Sequence, residues 1–461
     1  MNDLDTIVAL STPKGIGAIA LIRLSGKKSF AIIDTYFSKK SLLTKPSHTI
    51  HYGTFEVQGK VIDDIVVSIF KSPHSYTGED TIEISCHGSN YIINTIIKSC
   101  IDEGARIAQA GEFTQRAFLH GKLDLSQAEA VADLIAAESQ AAHDIAIRQI
   151  RGGISNKLKS LRTALIEFTA LIELELDFSE EDVEFADRGK LYSLLRHIKE
   201  ELHSIAETFH MGNAIKNGIP VAIVGRPNAG KSTLLNALLQ EERAIVSSIA
   251  GTTRDTIEET LNIDGYLFRF IDTAGIRMAK DEIEKIGIAR SNEAMSKAEV
   301  IIYLFDLEMD ISPDTIQQDF KEIMEKVGAN KKVIIVGNKV DAISTEKLKN
   351  LKELFDNTFI AVSAKQQSGI ETLKNTLVAT IAEKNIGENN VVVTNQRHYE
   401  ALNKAESAIT AVIHSLQNNI PRDLIAQDIK VALRHIGEIT GHIDIDKDIL
   451  GTIFGRFCIG K

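Results

Sequence analysis

The sequence contains no tryptophan, and aromatic residues make up only 6% of it, so any core must be mainly aliphatic. Its three cysteines, Cys86, Cys100 and Cys458, form no CxxC pair. That excludes a disulfide framework or a zinc ribbon and fits a reducing compartment. No run of about 18 apolar residues is present, which excludes a transmembrane helix and predicts no membrane partner. The start carries Asp3 and Asp5 and lacks the basic stretch of a secretory signal, so the expected location is cytoplasmic. The end, Cys458-Ile459-Gly460-Lys461, fits a prenylation box poorly because of Gly460 and Lys461. There is no excess of positive charge either: the formal net charge is −11. Bulk, non-specific nucleic-acid binding is therefore excluded, and any such contact must use a local patch or a partner's surface. Internal repeats and low-complexity tracts are also missing.

What remains is an ordinary globular composition, 44% apolar and 25% charged over 461 residues. That length suggests about three domains. Residues 1–120 are strand-rich, with β-branched runs at Thr6–Leu10, Ala18–Leu24, Ile62–Phe70 and Thr81–Ser85 and a helix over Asn90–Cys100. Residues 121–217 are helical: Leu125–Arg148 is rich in helix formers, and Leu158, Leu161, Leu165, Phe168 and Ile172 form one apolar stripe. A second long helix follows Asp187. Residues 218–380 alternate strands and helices, with strands at Pro220–Val224, Phe268–Ile271, Val300–Phe305, Val333–Val336 and Phe359–Val362. This predicts an open, mostly parallel sheet covered on both faces. Residues 381–461 return to helix, with a stripe at Leu402, Ala405, Ile409, Val412 and Leu416. The fold expected is multidomain α/β and α: an N-terminal α+β domain, then a helical domain interrupted by an inserted Ras-like P-loop domain.

Gly225-Arg226-Pro227-Asn228-Ala229-Gly230-Lys231-Ser232 matches the phosphate loop GxxxxGK[ST], after a strand and before a helix. Its backbone amides suit a β-phosphate, Lys231 supplies a point charge, and the Ser232 hydroxyl suits Mg²⁺. Asp272-Thr273-Ala274-Gly275 follows a strand, with Asp272 placed to reach Mg²⁺ through water and Gly275 to face the γ-phosphate. Asn338-Lys339-Val340-Asp341 follows another, and the Asp341 carboxylate suits the paired donors of guanine; adenine would leave it unpaired. Ser363-Ala364-Lys365 follows the last. The order of these elements implies GTP as substrate, bound by Asn228, Ala229, Gly230, Lys231, Ser232 and Thr233 and by the downstream motifs. The intervening loop, Ser247, Ser248, Ile249, Ala250, Gly251, Thr252 and Thr253, has the position of a nucleotide-sensing switch, with Thr253 a second Mg²⁺ ligand. Ile276 stands where many GTPases carry a water-orienting Gln. Glu284 is one candidate to replace it; a solvent-facing helix glutamate is the alternative.

Several further motifs have no place in a GTPase site: Asp5-Thr6-Ile7-Val8-Ala9, Tyr76-Thr77-Gly78-Glu79-Asp80, Gly111-Glu112-Phe113-Thr114, Arg116-Ala117-Phe118, Gly121-Lys122-Leu123-Asp124-Leu125 and the terminal Cys458-Ile459-Gly460-Lys461. With these the whole chain resembles the bacterial and organellar tRNA-modification GTPase family MnmE, or TrmE. Ala110 and Ser89 depart from the family's usual Pro and Gly. The resemblance implies a homodimer formed through the N-terminal domain. It also implies a flavin-dependent partner, MnmG, in a heterotetramer or larger complex, and tRNA as substrate. The implied product is a carboxymethylaminomethyl or aminomethyl group on C5 of the wobble uridine. The implied one-carbon donor is a 5-formyl- or methylene-tetrahydrofolate, held by Arg23, Glu83, Lys122 and Lys461. Potassium is implied at Asn228, Ser247, Ile249 and Thr252, and Glu284 as the residue that positions the attacking water. Cys458 is a nucleophile or redox participant, or simply a thiol in a pocket wall, which its sequence surroundings favour. Cys86-His87 has no accompanying metal-ligand spacing and reads as structural. The competing class is a ribosome-assembly or RNA-sensing GTPase without modification chemistry, which should carry a basic RNA-binding module.

Overall fold

The computed structural model describes residues 5–177, 188–239, 259–271, 292–309, 313–327, 331–354, 359–382, 391–418 and 422–441. They fall into two compact units, one drawn from residues up to 136, 146–200 and 401 onwards, the other from 137–145 and 201–400. No helix among the described residues is long and apolar enough to cross a membrane.

The first unit opens with a six-stranded sheet of β1 (Thr6–Leu10), β2 (Gly17–Ser25), β3 (Thr49–Val57), β4 (Lys60–Phe70), β5 (Thr81–Gly88) and β6 (Ala105–Ile107), in the order β3-β4-β5-β2-β1-β6. Only the β1–β6 pair is parallel. The strands alternate as a sheet covered on one face must: Ile65, Val67 and Ile69 are buried, and so are Ile82 and Ile84 across from them. Helices Ser29–Tyr36 and Asn90–Asp102 supply Phe30, Ile33, Ile93, Ile96 and Cys100 to the same core. The sequence pattern did not reveal β3, β6 or the helices Ser29–Tyr36 and Glu112–Leu119. In β3 the apolar Ile50 and Tyr52 lie exposed, so hydrophobicity does not mark its inner face, and β6 is three residues long.

The helix-forming stretch after Leu125 is two helices, Leu125–Ala136 and Gln140–Ile150. The first begins in a capping box, in which Asp124 Oδ1 accepts from the Gln127 amide and Gln127 Oε1 from the Asp124 amide, each at 2.9 Å. Ser139 starts the second by accepting from the Ala142 amide at 3.2 Å, so a cap interrupts a run of good helix formers. Helix Gly153–Asp177 buries Leu158, Leu161 and Leu165, and helix Arg422–Thr440 buries Ile425, Ile429 and Ile436. Helix Arg188–Glu207 follows Asp187, and helix Gln396–Gln417 buries Leu402, Ala405, Ile409 and Val412.

The second unit contains β7 (Ile219–Val224), β8 (Glu259–Ile263), β9 (Tyr266–Phe270), β10 (Val300–Asp306), β11 (Lys332–Asn338) and β12 (Phe359–Ala361), ordered β12-β11-β10-β7-β9-β8. All neighbours are parallel except the β8–β9 hairpin, whose turn residues Asp264 and Gly265 both have positive φ. Every residue of β10 is buried, as a central parallel strand with two covered faces requires. From β7 the chain runs outward on one side through β10, β11 and β12, while β9 with its hairpin partner β8 lies on the other; because β7, β10, β11 and β12 are parallel, the loops after them gather at one edge, where open parallel sheets bind ligands.

Candidate functional site

The phosphate-loop motif joins the end of β7 to helix Lys231–Leu239. Gly225 lies against the main chain of Leu304, and Gly230 against the side-chain amide of Asn338, with positive φ at both; a Cβ at either would collide. These two glycines are therefore required by close approach as well as by conformation. Asn228 also takes the left-handed region, at φ 62°. Lys231 Nζ turns back on its own loop, donating to the carbonyl oxygens of Gly225 at 2.8 Å and Arg226 at 3.0 Å. Burial pulls its ammonium below the ordinary lysine range, so the site holds an under-solvated cation. Ser232 is half-buried at the first turn of the helix, and Thr233 is exposed.

Asn338, at the end of β11 and almost fully buried, ties three loops together. Its Nδ2 donates to the Ala229 carbonyl at 2.9 Å, and its Oδ1 accepts from the amides of Lys339 at 2.8 Å and Ala364 at 3.0 Å. Lys339 sits in the left-handed region, and its ammonium meets Asp306 and, at 3.3 Å, Glu308. The hydrogen bond to Asp306 chiefly raises its pKa. Asp341 is exposed and makes no hydrogen bond or ion pair among the described residues, so both carboxylate oxygens stand open. Ser363 is fully buried, with its Oγ accepting from the Gln366 amide at 3.1 Å, while Ala364 is buried and Lys365 exposed. The structure thus brings Ala229, Gly230, Lys231, Asn338, Lys339 and Ala364 to one edge of one sheet. Ser247, Ser248, Ile249, Ala250, Gly251, Thr252, Thr253, Asp272, Thr273, Ala274, Gly275, Ile276 and Glu284 lie outside the described residues.

In the first unit Arg23 on β2 and Glu83 on β5 are register partners. The guanidinium donates from Nε to Glu83 Oε1 at 2.8 Å, and Nη2 lies 2.7 Å from the same oxygen in an ion pair. Its carbon lies 5.3 Å from the Tyr76 ring centroid and 5.6 Å from that of Phe113. Lys122 is not at this pair: its Nζ donates to the Pro73 carbonyl at 3.0 Å, on the same loop that carries Tyr76. Cys458 and Lys461 lie outside the described residues.

The motif residues without a role in the sequence reading form a buried ion cluster next to this pair. Arg116 donates to Asp5 Oδ1 at 2.6 Å, to Glu112 Oε1 at 3.0 Å and to both Glu79 oxygens at 3.1 Å; Arg106 closes the other side of Glu112 at 2.6 Å. Burial works to raise the Glu112 carboxyl, and Arg106, the Gln109 amide and Arg116 together outweigh it, so the pKa falls below the ordinary range. The only signal in the sequence was the excess of charged residues within short motifs. Burial pushes the Cys86 thiol up to about 11 and Cys100 up to about 12, so both stay protonated near neutrality. His87 pairs with Asp63 at 2.7 Å.

Two family models match the chain. One, described as the GTP-binding protein TrmE N-terminus, covers residues 6–122, and the other, the MnmE helical domain, covers 125–458. Among curated proteins, the chain is 49% identical to the tRNA modification GTPase MnmE of Cytophaga hutchinsonii, over 100% of this chain and 98% of the relative. It is 52% identical to the protein of the same name from Flavobacterium johnsoniae, over the full length of both. The Flavobacterium psychrophilum protein of that name is also 52% identical, over 99% of each.

Proposed function

The chain belongs to the tRNA modification GTPase MnmE family, also called TrmE, and from that premise we propose that it binds and hydrolyses GTP as part of a tRNA-modifying enzyme. The observation that carries the GTP reading is the position of Asn338. One side chain fastens the phosphate loop, the base-reading Asn338–Asp341 segment and the Ser363–Lys365 loop, holding phosphate and base contacts in a fixed relation. Two carboxylate oxygens left open on Asp341 match guanine's two adjacent donors.

The finer reading follows the family motifs. The P-loop domain is an insert in the helical domain, over 218–380, with the N-terminal folate and dimerisation domain at 1–120 and helical halves at 121–217 and 381–461. Mg²⁺ would be held by the Ser232 hydroxyl together with Thr253, hard oxygen donors suited to that ion. K⁺ would be held by Asn228 with Ser247, Ile249 and Thr252, and would supply positive charge beside the phosphates. Glu284 positions the attacking water, since Ile276 has no polar atom to do so. A tetrahydrofolate derivative would supply the one-carbon unit. Arg23, Glu83 and Lys122, with Lys461, combine a carboxylate, cations and the flanking rings of Tyr76 and Phe113, donors suited to a pterin and a glutamate tail. The protein acts in the cytoplasm as a homodimer, with flavin-dependent MnmG, on C5 of the tRNA wobble uridine.

Two measurements test this reading. Hydrolysis of GTP by the full chain should be faster in K⁺ than in Na⁺ at equal ionic strength; equal rates would remove the potassium site. Expression of the chain in a strain lacking its own enzyme of this family should restore the C5-modified wobble nucleoside, and an unmodified uridine despite folded protein would refute the tRNA reading.

A further inference from the structure

Arg226 stands at a position of the phosphate loop that the GxxxxGK[ST] pattern leaves unspecified. Residues 226–228 are exposed, so little packing fixes them. The loop is secured on its far side by Asn338, through Ala229. On its near side the Arg226 guanidinium forms a two-pronged ion pair with Asp319 of helix Pro313–Val327, Nε to Oδ2 at 2.8 Å and Nη2 to Oδ1 at 3.0 Å. Asp319 is held in turn by the hydroxyl of Tyr303, which projects from β10 and donates to Oδ2 at 2.8 Å. The main chain of Arg226 is also where Lys231 rests, since its carbonyl accepts from Nζ at 3.0 Å.

From these contacts we propose that Asp319 is a positioning residue of the nucleotide site: fixed by Tyr303, it clamps Arg226 and so holds the first half of the phosphate loop in its phosphate-receiving shape. Asp319 does not touch the nucleotide. It acts by removing freedom from an exposed loop that would otherwise be ordered at the expense of binding energy. A bidentate guanidinium–carboxylate pair suits this task, because two parallel bonds fix orientation as well as distance. The carboxyl of Asp319 is affected by burial, which raises its pKa, and more by Arg226 and Tyr303 together, which lower it; it stays ionised near neutrality.

The inference rests on the GTP reading above, and its test separates the two. Binding of fluorescent GDP, GTP and GMP is measured on the full chain and on Asp319→Ala, Asp319→Glu and Tyr303→Phe. The pair is partly solvent-exposed, so the expected loss in Asp319→Ala is moderate, about three- to tenfold in Kd for GDP and GTP. GMP, which lacks the β-phosphate the loop receives, should bind as before. Asp319→Glu should recover most of the loss, and Tyr303→Phe, which leaves the core volume intact, should show part of it. At saturating GTP, kcat should stay within about twofold, placing the effect in KM. A folded Asp319→Ala chain with unchanged GDP affinity would overturn the proposal, as would an equal loss for GMP. A parent chain that binds no guanine nucleotide would refute the GTP reading itself, and this inference with it.

Discussion

Asn338 Nδ2 and the carbonyl oxygen of Ala229, 109 positions apart in sequence, are joined by a 2.9 Å hydrogen bond at the meeting of β11 and the phosphate loop. The same side chain also accepts two amides, so its replacement leaves buried backbone groups at Ala229 and Ala364 without partners. Asn338→Ala should lower stability by about 1–3 kcal/mol for each group left buried and unpaired. It should also weaken guanine nucleotide binding at both the phosphate and the base end. Thermal melts and nucleotide titration of the same preparation check this; full affinity in a destabilised variant would limit Asn338 to a packing role.

Lys231 tests the electrostatics of the phosphate loop. Its pKa is lowered by burial, so the folded chain binds its proton less well than the unfolded chain. The resulting cost is fully present below the folded pKa and fades as pH rises toward the ordinary 10.5. Lys231→Met removes that cost. Without nucleotide the variant should melt no lower than the parent at neutral pH, and GDP should no longer raise its Tm. A variant that GDP still stabilises as it does the parent would show that Lys231 does not meet the phosphates.

The elements legible in the sequence were those whose signal is local. The phosphate loop lies within eight consecutive residues, and β7, β10 and β11 each contain a continuous apolar run, as at Val300–Phe305 and Val333–Val336. The hairpin strand β8 was missed although Asp264-Gly265 is a favoured hairpin turn, because the strand is five residues long and only Leu261 and Ile263 mark its buried face. Helix Glu112–Leu119 was passed over because five of its eight residues are buried, polar Glu112, Thr114 and Arg116 among them, which hides the one-faced apolar stripe. In the site, residue types were legible and pairings were not. Arg226 meets Asp319 across 93 positions, and Arg116 meets Asp5 across 111, distances that only strand register and helix placement determine. Arg23 and Glu83 come together for the same reason, as facing residues of β2 and β5.

The Arg116 cluster should govern acid sensitivity. Glu112 is fully buried, and its pKa is held below the ordinary 4.5 because Arg106, the Gln109 amide and Arg116 together outweigh burial. Stability from a lowered carboxyl is complete above the unfolded value and is lost as pH falls through the folded one. The melting temperature should therefore fall below about pH 4.5. Arg116→Ala should cost about 3–5 kcal/mol at neutral pH, by leaving Glu112 buried with one cation fewer. In Glu112→Gln the acid-side fall should be shallower. Identical pH–Tm curves for parent and Glu112→Gln would discard this assignment.

Arg23 and Glu83 make the sharpest test of the folate proposal. The hydrogen bond from Arg23 Nε and the ion-pair contact of Nη2 both go to Oε1 of Glu83, and Oε2 takes no hydrogen bond among the described residues. A carboxylate held this way presents one oriented oxygen to an incoming donor, such as the amino edge of a pterin. Glu83→Gln keeps the shape but offers an amide that cannot accept from both Arg23 and a pterin. Affinity for 5-formyltetrahydrofolate should fall about tenfold or more, the usual cost of losing a charge-assisted bond. Arg23→Ala should lose affinity as well, because Glu83 loses its orientation and the guanidinium is no longer there for the folate. If Arg23 acts mainly by orienting Glu83, the double variant should be hardly worse than the worse single variant, since the two act as one unit. If Arg23 contacts folate independently, the losses should add. Should both variants bind folate normally while melting lower, the pair would be a cross-strand tie of β2 and β5, and the folate site would have to be sought elsewhere.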